Sequence, residues 1–340
     1  MMSDFFNEDY LICSPSYSKI LNEIVLPWLS DKENVTVIQG TDNRPLYCVS
    51  YKAEDPLATV LIVHGFTENA FKYAELIWSL LHCHFSVIAF DQRGHGRSWR
   101  DPDIQDLSVT HVDHFSEYIE DLSIVCDHYF PHFTKPFFLF GHSMGGAVSS
   151  LFLEQHPGIF SAAVLSSPMI APHTGGIPAI FASALGLAAI KFGKAKNKPF
   201  FMKSYAGPED FNTSCATDPG RFEWYDQVKA SRKDFQNSVP SYRWSYEALH
   251  VTEKILAPDA PEHIACPVLL FSAETDFSVL QAPQKTFIER VPYGQYVYVS
   301  GSRHEIFRSK NEVLFPWWHK ILGFYHSNVS SSLSEGGRSE

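Results

Sequence analysis

A run of apolar residues, Phe137–Phe140, ends at Gly141-His142-Ser143-Met144-Gly145-Gly146, and a helix-patterned segment, Ala147–His156, begins at once. No other stretch restricts the fold as much. A chain that leaves a strand and enters a helix within so few residues must turn sharply. Such a turn demands Gly on each side of Ser143, because a side chain there would collide with the neighbouring strand and helix. The G-x-S-x-G pattern alone is weak: with Gly and Ser near ~7% each, a match arises in roughly one chain in ten of this length. The flanking strand and helix are what give it meaning.

The rest of the chain repeats the same alternation. Strand-like runs recur at Ala58–Val63, Phe85–Phe90, Pro136–Phe140, Ala162–Ser166, Val268–Ser272 and Gln295–Ser300. Between most of them lie helix-length segments such as Phe71–Leu81 and Val112–Tyr129, with apolar residues every three or four positions. This predicts an α/β fold: a mostly parallel sheet covered on both faces. Val35–Gln39 and Leu46–Tyr51 flank a turn-rich loop and predict an antiparallel edge hairpin. The alternation breaks over 168–257, which predicts a helical cap inserted into the core. The core is then 1–167 and 258–326, and the polar 327–340 is expected to be a disordered tail. With 45% hydrophobic residues in 340, the chain has enough apolar material for one such core plus cap.

A net charge of -11 argues against nucleic acid as a partner. Cys13, Cys48, Cys83, Cys126, Cys215 and Cys266 are scattered without Cys-x-x-Cys, as expected of free thiols in a reducing compartment. Met1–Tyr10 is acidic and lacks a signal-like apolar stretch, so no export is expected and the cytoplasm is the predicted location. Ile177–Ile190, the most continuous apolar stretch, is too short to span a bilayer but suits peripheral contact with one. His82-Cys83-His84 and His111-x-x-His114 have metal-like spacing but no completing ligands nearby, and no metal or other cofactor is expected.

The chemistry follows from what a serine needs. Its hydroxyl is a poor nucleophile at neutral pH, so a base must take its proton and a carboxylate must hold that base in the right tautomer. Chain order for this kind of sheet is serine, acid, histidine. The strand before Ala273-Glu274-Thr275-Asp276 and the strand before Gly301-Ser302-Arg303-His304 place candidates beyond C-terminal strand ends, where ligands bind. Asp276 is taken as the acid, with Glu274 the alternative, and His304 as the base. The helix after Ser143 aims Met144 N–H at the serine oxygen, and Phe66 N–H, after the strand Leu61–Val63, is the expected second oxyanion donor. His64 is read as shaping that loop and His142 as anchored at the elbow. Asp91–Ser98 is read as a loop braced by Asp and Arg pairs. The basic run Lys191–Lys198 reads as a solvated face, or more sharply as a surface for anionic head groups. The cap aromatics read as packing.

These residues resemble a known family. His64-Gly65-Phe66, Lys72-Tyr73-Ala74-Glu75-Leu76, Asp91 to Ser98, Gly141 to Ala147 and His304-Glu305-Ile306 are similar to the α/β-hydrolase serine hydrolases that include bacterial lysophospholipase L2 and monoacylglycerol lipases. The likeness spans about 58 to 325. It implies the α/β-hydrolase fold and cleavage of carboxylic esters of lipid type. The family's nucleophile, acid and base fall on Ser143, Asp276 and His304, and its oxyanion donors on Phe66 and Met144. Tyr73-Ala74-Glu75-Leu76 and Leu151–Gly158 lean toward the lysophospholipase L2 side. The same three residues would equally serve a short-chain carboxylesterase, an acyltransferase or a peptidase, and a ligand-binding protein could keep the fold without turnover.

Overall fold

Val60 and Ile62 enter one apolar layer, and Leu61 and Val63 the opposite one. Burial with period two on both sides is what a strand between two helical layers requires. The computed structural model of the protein describes residue 12 and residues 16–336, with side chains to Val329. The N-terminal segment Met1–Tyr10 and Cys13 lie outside the described residues. In chain order the strands are β1 (Glu33–Gln39), β2 (Pro45–Tyr51), β3 (Ala58–Val63), β4 (Phe85–Phe90), β5 (Val109–Thr110), β6 (Phe137–His142), β7 (Ala162–Ser166), β8 (Val239–Pro240), β9 (Val268–Thr275) and β10 (Gly294–Arg303).

Eight of them form one sheet in the order β1-β2-β4-β3-β6-β7-β9-β10, while β5 and β8 pair apart from it. β1, β2 and β4 are antiparallel neighbours, and every pairing from β4 onward is parallel. The α/β class expected from the alternation is therefore observed, edge hairpin included.

The helices are α1 (Tyr17–Ile20), α2 (Leu26–Lys32), α3 (Ala74–His82), α4 (Ser116–Tyr129), α5 (Met144–Gln155), α6 (Ala179–Lys191), α7 (Pro219–Ser231), α8 (Tyr242–Ile255), α9 (Gln281–Arg290) and α10 (Asn311–Gly336). Leu76 and Leu80 of α3 and Trp317 and Ile321 of α10 cover one face of the sheet. Leu122 of α4, Leu151 of α5, Val251 of α8 and Phe287 of α9 cover the other.

Three features differ from expectation. The tail expected at 327–340 is helical to Gly336, with 337–340 outside the described residues. Once Tyr325 and Val329 are packed, each further residue adds a hydrogen bond to an existing helix and needs no new nucleus. The basic run is not a freely solvated face: Lys196 pairs with Asp101 (2.9 Å) and Asp103, and Lys198 with Asp106 (3.6 Å). It straps the inserted segment to the 100–108 loop, whose carboxylates it neutralises. Residues 168–257 are also less separate than a lid. Trp224 and Tyr225 of α7 belong to the α3–α10 layer and Trp244 of α8 to the opposite one. Arg221, its side chain wholly buried, binds Glu75 of α3 through two hydrogen bonds (2.8 and 2.6 Å) and also Ile12 O (2.8 Å). The described cysteines, Cys48, Cys83, Cys126, Cys215 and Cys266, are free thiols.

Candidate active site

Gly141 and His142 are still paired with β7, and α5 starts at Met144, so Ser143 alone makes the change of direction. It does so at φ +52° and ψ -119°, a region that costs a non-glycine residue on the order of 1–3 kcal/mol. Hydrogen bonds hold it there: Ser143 N–H donates to Ser166 O (3.1 Å), and Ser143 O accepts from Met169 N–H (2.8 Å). Gly145 is required by close approach, since a Cβ there would lie 2.1 Å from Val63 O. The elbow thus sets α5 against the end of β3, where the His64-Gly65-Phe66 loop begins.

Three side chains from three strand ends meet. Ser143 Oγ lies 2.8 Å from His304 Nε2, and His304 Nδ1 lies 2.7 Å from Asp276 Oδ2. An ionised carboxylate only accepts, so Nδ1–H donates to Asp276 and Nε2 of the neutral ring accepts from the serine. Ser278 and Val279 N–H hold Asp276 Oδ1 at 2.9 and 3.0 Å. Burial pushes the Asp276 carboxyl upward, but the His304 charge, its hydrogen bond and these two N–H groups win and keep it below its usual value. Burial likewise pushes His304 down, and the Asp276 carboxylate, aided by Glu305 and Glu68, overrides it, so the imidazole titrates above its usual range. Glu274 is turned away toward β10, where it accepts Gly301 N–H at 2.6 Å.

Met144 is the first residue of α5, so its N–H has no intrahelical acceptor. A Cβ on Gly65 would sit 3.1 Å from Ser143 Cβ, so the loop carrying Phe66 runs hard against the serine. The Phe66 ring packs on Trp244 of α8 with centroids 4.1 Å apart. His64 shapes this loop from below: Nδ1 bonds Gly65 O (2.7 Å), and Nε2 accepts Gln92 N–H (2.8 Å). The Asp91–Ser98 loop is in turn braced as expected. Arg93 is buried against Asp121 (2.6 Å) and Glu117, and Asp91 accepts from Ala70 N–H and Arg97 N–H, both at 2.8 Å.

A buried charge cluster behind the loop went unread in the sequence. Glu68 accepts from Gly65 N–H (2.7 Å), Tyr73 OH (2.6 Å), Lys72 Nζ (2.8 Å) and His142 Nδ1 (3.2 Å). Lys72 also donates to Glu305 (2.6 Å), which Arg308 meets from the other side (2.6 Å). Burial raises the Glu305 carboxyl, but Lys72 and Arg308 outweigh it and bring it down to about 2. His142 Nε2 reaches His304 O at 3.3 Å, which ties the cluster to the loop that bears His304. The i, i+4 spacing of Glu68 and Lys72 was the available signal. Nothing in the sequence pairs either with Glu305, which is 233 positions from Lys72.

The profile of the serine aminopeptidase, S33 family matches residues 54–311 of this chain. Lysophospholipase L2 of Escherichia coli is 30% identical over 308 residues, covering 86% of this chain and 87% of that protein. A monoacylglycerol lipase of Mycolicibacterium smegmatis is 33% identical over 151 residues, 44% of this chain and 51% of its own. In architecture, a highly thermostable carboxyl esterase from Bacillus coagulans superposes with a TM-score of 0.70 at 19% identity, over 88% of this chain and 99% of its own.

Proposed function

The chain belongs to the serine aminopeptidase, S33 family of α/β hydrolases, and from that membership we propose that it hydrolyses carboxylic esters of lipid type, monoacylglycerols or lysophospholipids. Ser143 is the nucleophile, His304 the base and Asp276 the acid that orients it. The observation that carries this reading is the hydrogen-bonded chain from Ser143 Oγ through His304 to Asp276, at 2.8 and 2.7 Å, on a serine held at a strained elbow.

His304 Nε2 takes the Ser143 proton as Oγ bonds to the ester carbonyl carbon, and the carbonyl electron pair moves onto oxygen. Met144 and Phe66 N–H receive that oxyanion. Collapse breaks the bond to the alcohol, which leaves with the proton from His304. Water then gives a proton to His304, attacks the acyl-enzyme and releases the carboxylic acid, and the proton returns to Ser143. Asp276 stays ionised and stabilises the imidazolium.

A lipid substrate is supported by the outer face of the insert. Ile180, Phe181 and Phe192 on and after α6 are 75%, 66% and 82% exposed, an apolar surface suited to peripheral contact with a lipid interface. Among the described residues no helix is long and apolar enough to cross a membrane. The test compares a monoacylglycerol, a lysophospholipid and a short-chain aryl ester with the native protein and Ser143→Ala, alongside fluorophosphonate labelling. Fatty-acid release and labelling by the native protein alone are expected. Cleavage of a peptide or amide with no ester turnover would overturn the reading.

A further inference from the structure

Arg303, the neighbour of His304, takes no part in the chemistry above, yet its side chain is tightly engaged. Its Nη1 group donates to Phe211 O and Ser214 O at 3.1 Å each and to Ala216 O at 3.3 Å. All three carbonyls belong to the insert. The same stretch of the insert follows the chain beyond His304: Glu305 N–H donates to Cys215 O (3.0 Å), and Thr217 and Asp218 N–H donate to Arg308 O (3.3 and 3.1 Å). That stretch is itself anchored, because it leads into α7, which Arg221 seats on Glu75. The Asp276 loop is bound to the insert as well. His173 N–H donates to Ser278 O (2.8 Å) and Leu280 N–H to Ala171 O (2.9 Å).

The tip of β10 needs such a brace. Val299 pairs with Ala273 and Arg303 with Thr275, so the chain advances further along β10 than along β9 between the two pairs. The surplus, with Gly301 at φ +75°, leaves the ladder just before His304. In an unbroken ladder the register fixes where the next residue lies, whereas a bulge gives that control up. His304 must nonetheless bring Nε2 to Ser143 at 2.8 Å and Nδ1 to Asp276 at 2.7 Å.

On the reading of Ser143, His304 and Asp276 proposed above, we infer that Arg303 is a positioning residue. By gripping three carbonyls of the insert it holds the His304 loop where the sheet no longer does, and the insert becomes part of the scaffold that aligns the three residues. His142 and Lys72 hold the same loop from the core side, at His304 O and Glu305. A cation suits the task on the insert side, since three acceptors converge on one nitrogen. An ammonium, with three N–H donors, fits the same convergence, while methionine has similar length and no donor.

The test compares Arg303→Met, Arg303→Gln and Arg303→Lys in the full chain. Three quantities are read: hydrolysis of a soluble aryl ester, the rate of fluorophosphonate labelling of Ser143, and the far-downfield proton resonance of His304 Nδ1–H, identified by its loss in Asp276→Asn. Arg303→Met is expected to lower kcat and kcat/KM together by at least about tenfold, since a misplacement of about 1 Å costs up to ~10²-fold, with KM nearly unchanged. Labelling should slow by a similar factor, the resonance should broaden or vanish, and Arg303→Lys should recover most of each. Arg303→Gln keeps two N–H donors on a shorter arm, so it should fall between, and it carries the test if Arg303→Met fails to fold. A native labelling rate and resonance in the donor-poor variants overturns the inference, whatever their melting temperatures. So does a loss that persists undiminished in a folded Arg303→Lys. If the native protein is labelled at Ser143 but cleaves no ester, the ester reading falls, while labelling and resonance still decide the role of Arg303.

Discussion

Glu68→Gln keeps the shape of a buried side chain and removes one negative charge from the centre of four donors. Gly65 N–H, Tyr73 OH and His142 Nδ1 all reach Oε2 and Lys72 Nζ alone reaches Oε1, so an amide oxygen placed at Oε2 still serves three of them. The amide nitrogen then faces Lys72 Nζ as a donor, so one buried donor loses its acceptor there, at about 1–3 kcal/mol. Glu305 at 2.6 Å still neutralises Lys72, so the ~3–5 kcal/mol of a fully uncompensated buried charge is not added. The expected loss is about 1–3 kcal/mol, a measurable share of a typical ~5–15 kcal/mol.

Urea unfolding midpoints at pH 7 would measure that loss, and their pH dependence tests its origin. Burial raises the Glu68 carboxyl, but Lys72 and His142 pull harder and leave it well below its usual value. The stability it contributes is therefore in place above its unfolded value of about 4.3 and drains away as pH falls toward the lowered folded value. The gap between native protein and variant should shrink on acidification below about pH 4. Equal midpoints at pH 7, or a gap that widens on acidification, would refute the reasoning. Because Glu68 also pulls His304 upward, the acid limb of kcat/KM should move to lower pH in the variant.

Three further outcomes are expected. For the native protein, kcat/KM should fall as pH drops through a value above the ordinary imidazole pKa of about 6.5, and Asp276→Asn should move that limb down while cutting kcat by on the order of 10⁴; an unshifted limb would count against Asp276 as the orienting acid. Gly145→Ala drives a methyl group onto the Val63 carbonyl and should cost about 3 kcal/mol or more by thermal unfolding, whereas a near-native melting temperature would contradict the close approach. Phe181→Glu should weaken co-sedimentation with lipid vesicles, with turnover of a water-soluble aryl ester reporting that the fold is intact; undiminished vesicle binding would remove α6 from the interface.

What could be read in the sequence was whatever local pattern encodes. β3, β4 and β7 fall where alternation and β-branched residues put them, because a strand buried on both faces leaves an uninterrupted apolar run. Ser143, Asp276 and His304 stand out because each follows a strand end, and the structure brings Ser143 and Asp276 each within hydrogen-bond distance of His304. Pairings between distant segments were not legible. Lys196 and Lys198 look like solvent-facing charge until Asp101 and Asp106 come into reach, and Arg221 looks like a surface residue of a lid until it is seated on Glu75. The helix to Gly336 was missed for a related reason: its polar residues extend an already packed helix rather than nucleating one.

The placement of the insert between β7 and β9 also has a consequence for biosynthesis. Ser143 belongs to the half of the sheet that leaves the ribosome first, while Asp276 and His304 come from its last two strands. The serine and histidine are 161 positions apart, so at ~5–20 residues per second roughly 8 to 30 seconds separate their emergence. On the proposed mechanism, a nascent chain in that interval carries a nucleophile with no base beside it. On that mechanism a chain truncated anywhere before β10 is chemically silent, and reactivity switches on only when the edge of the sheet is complete.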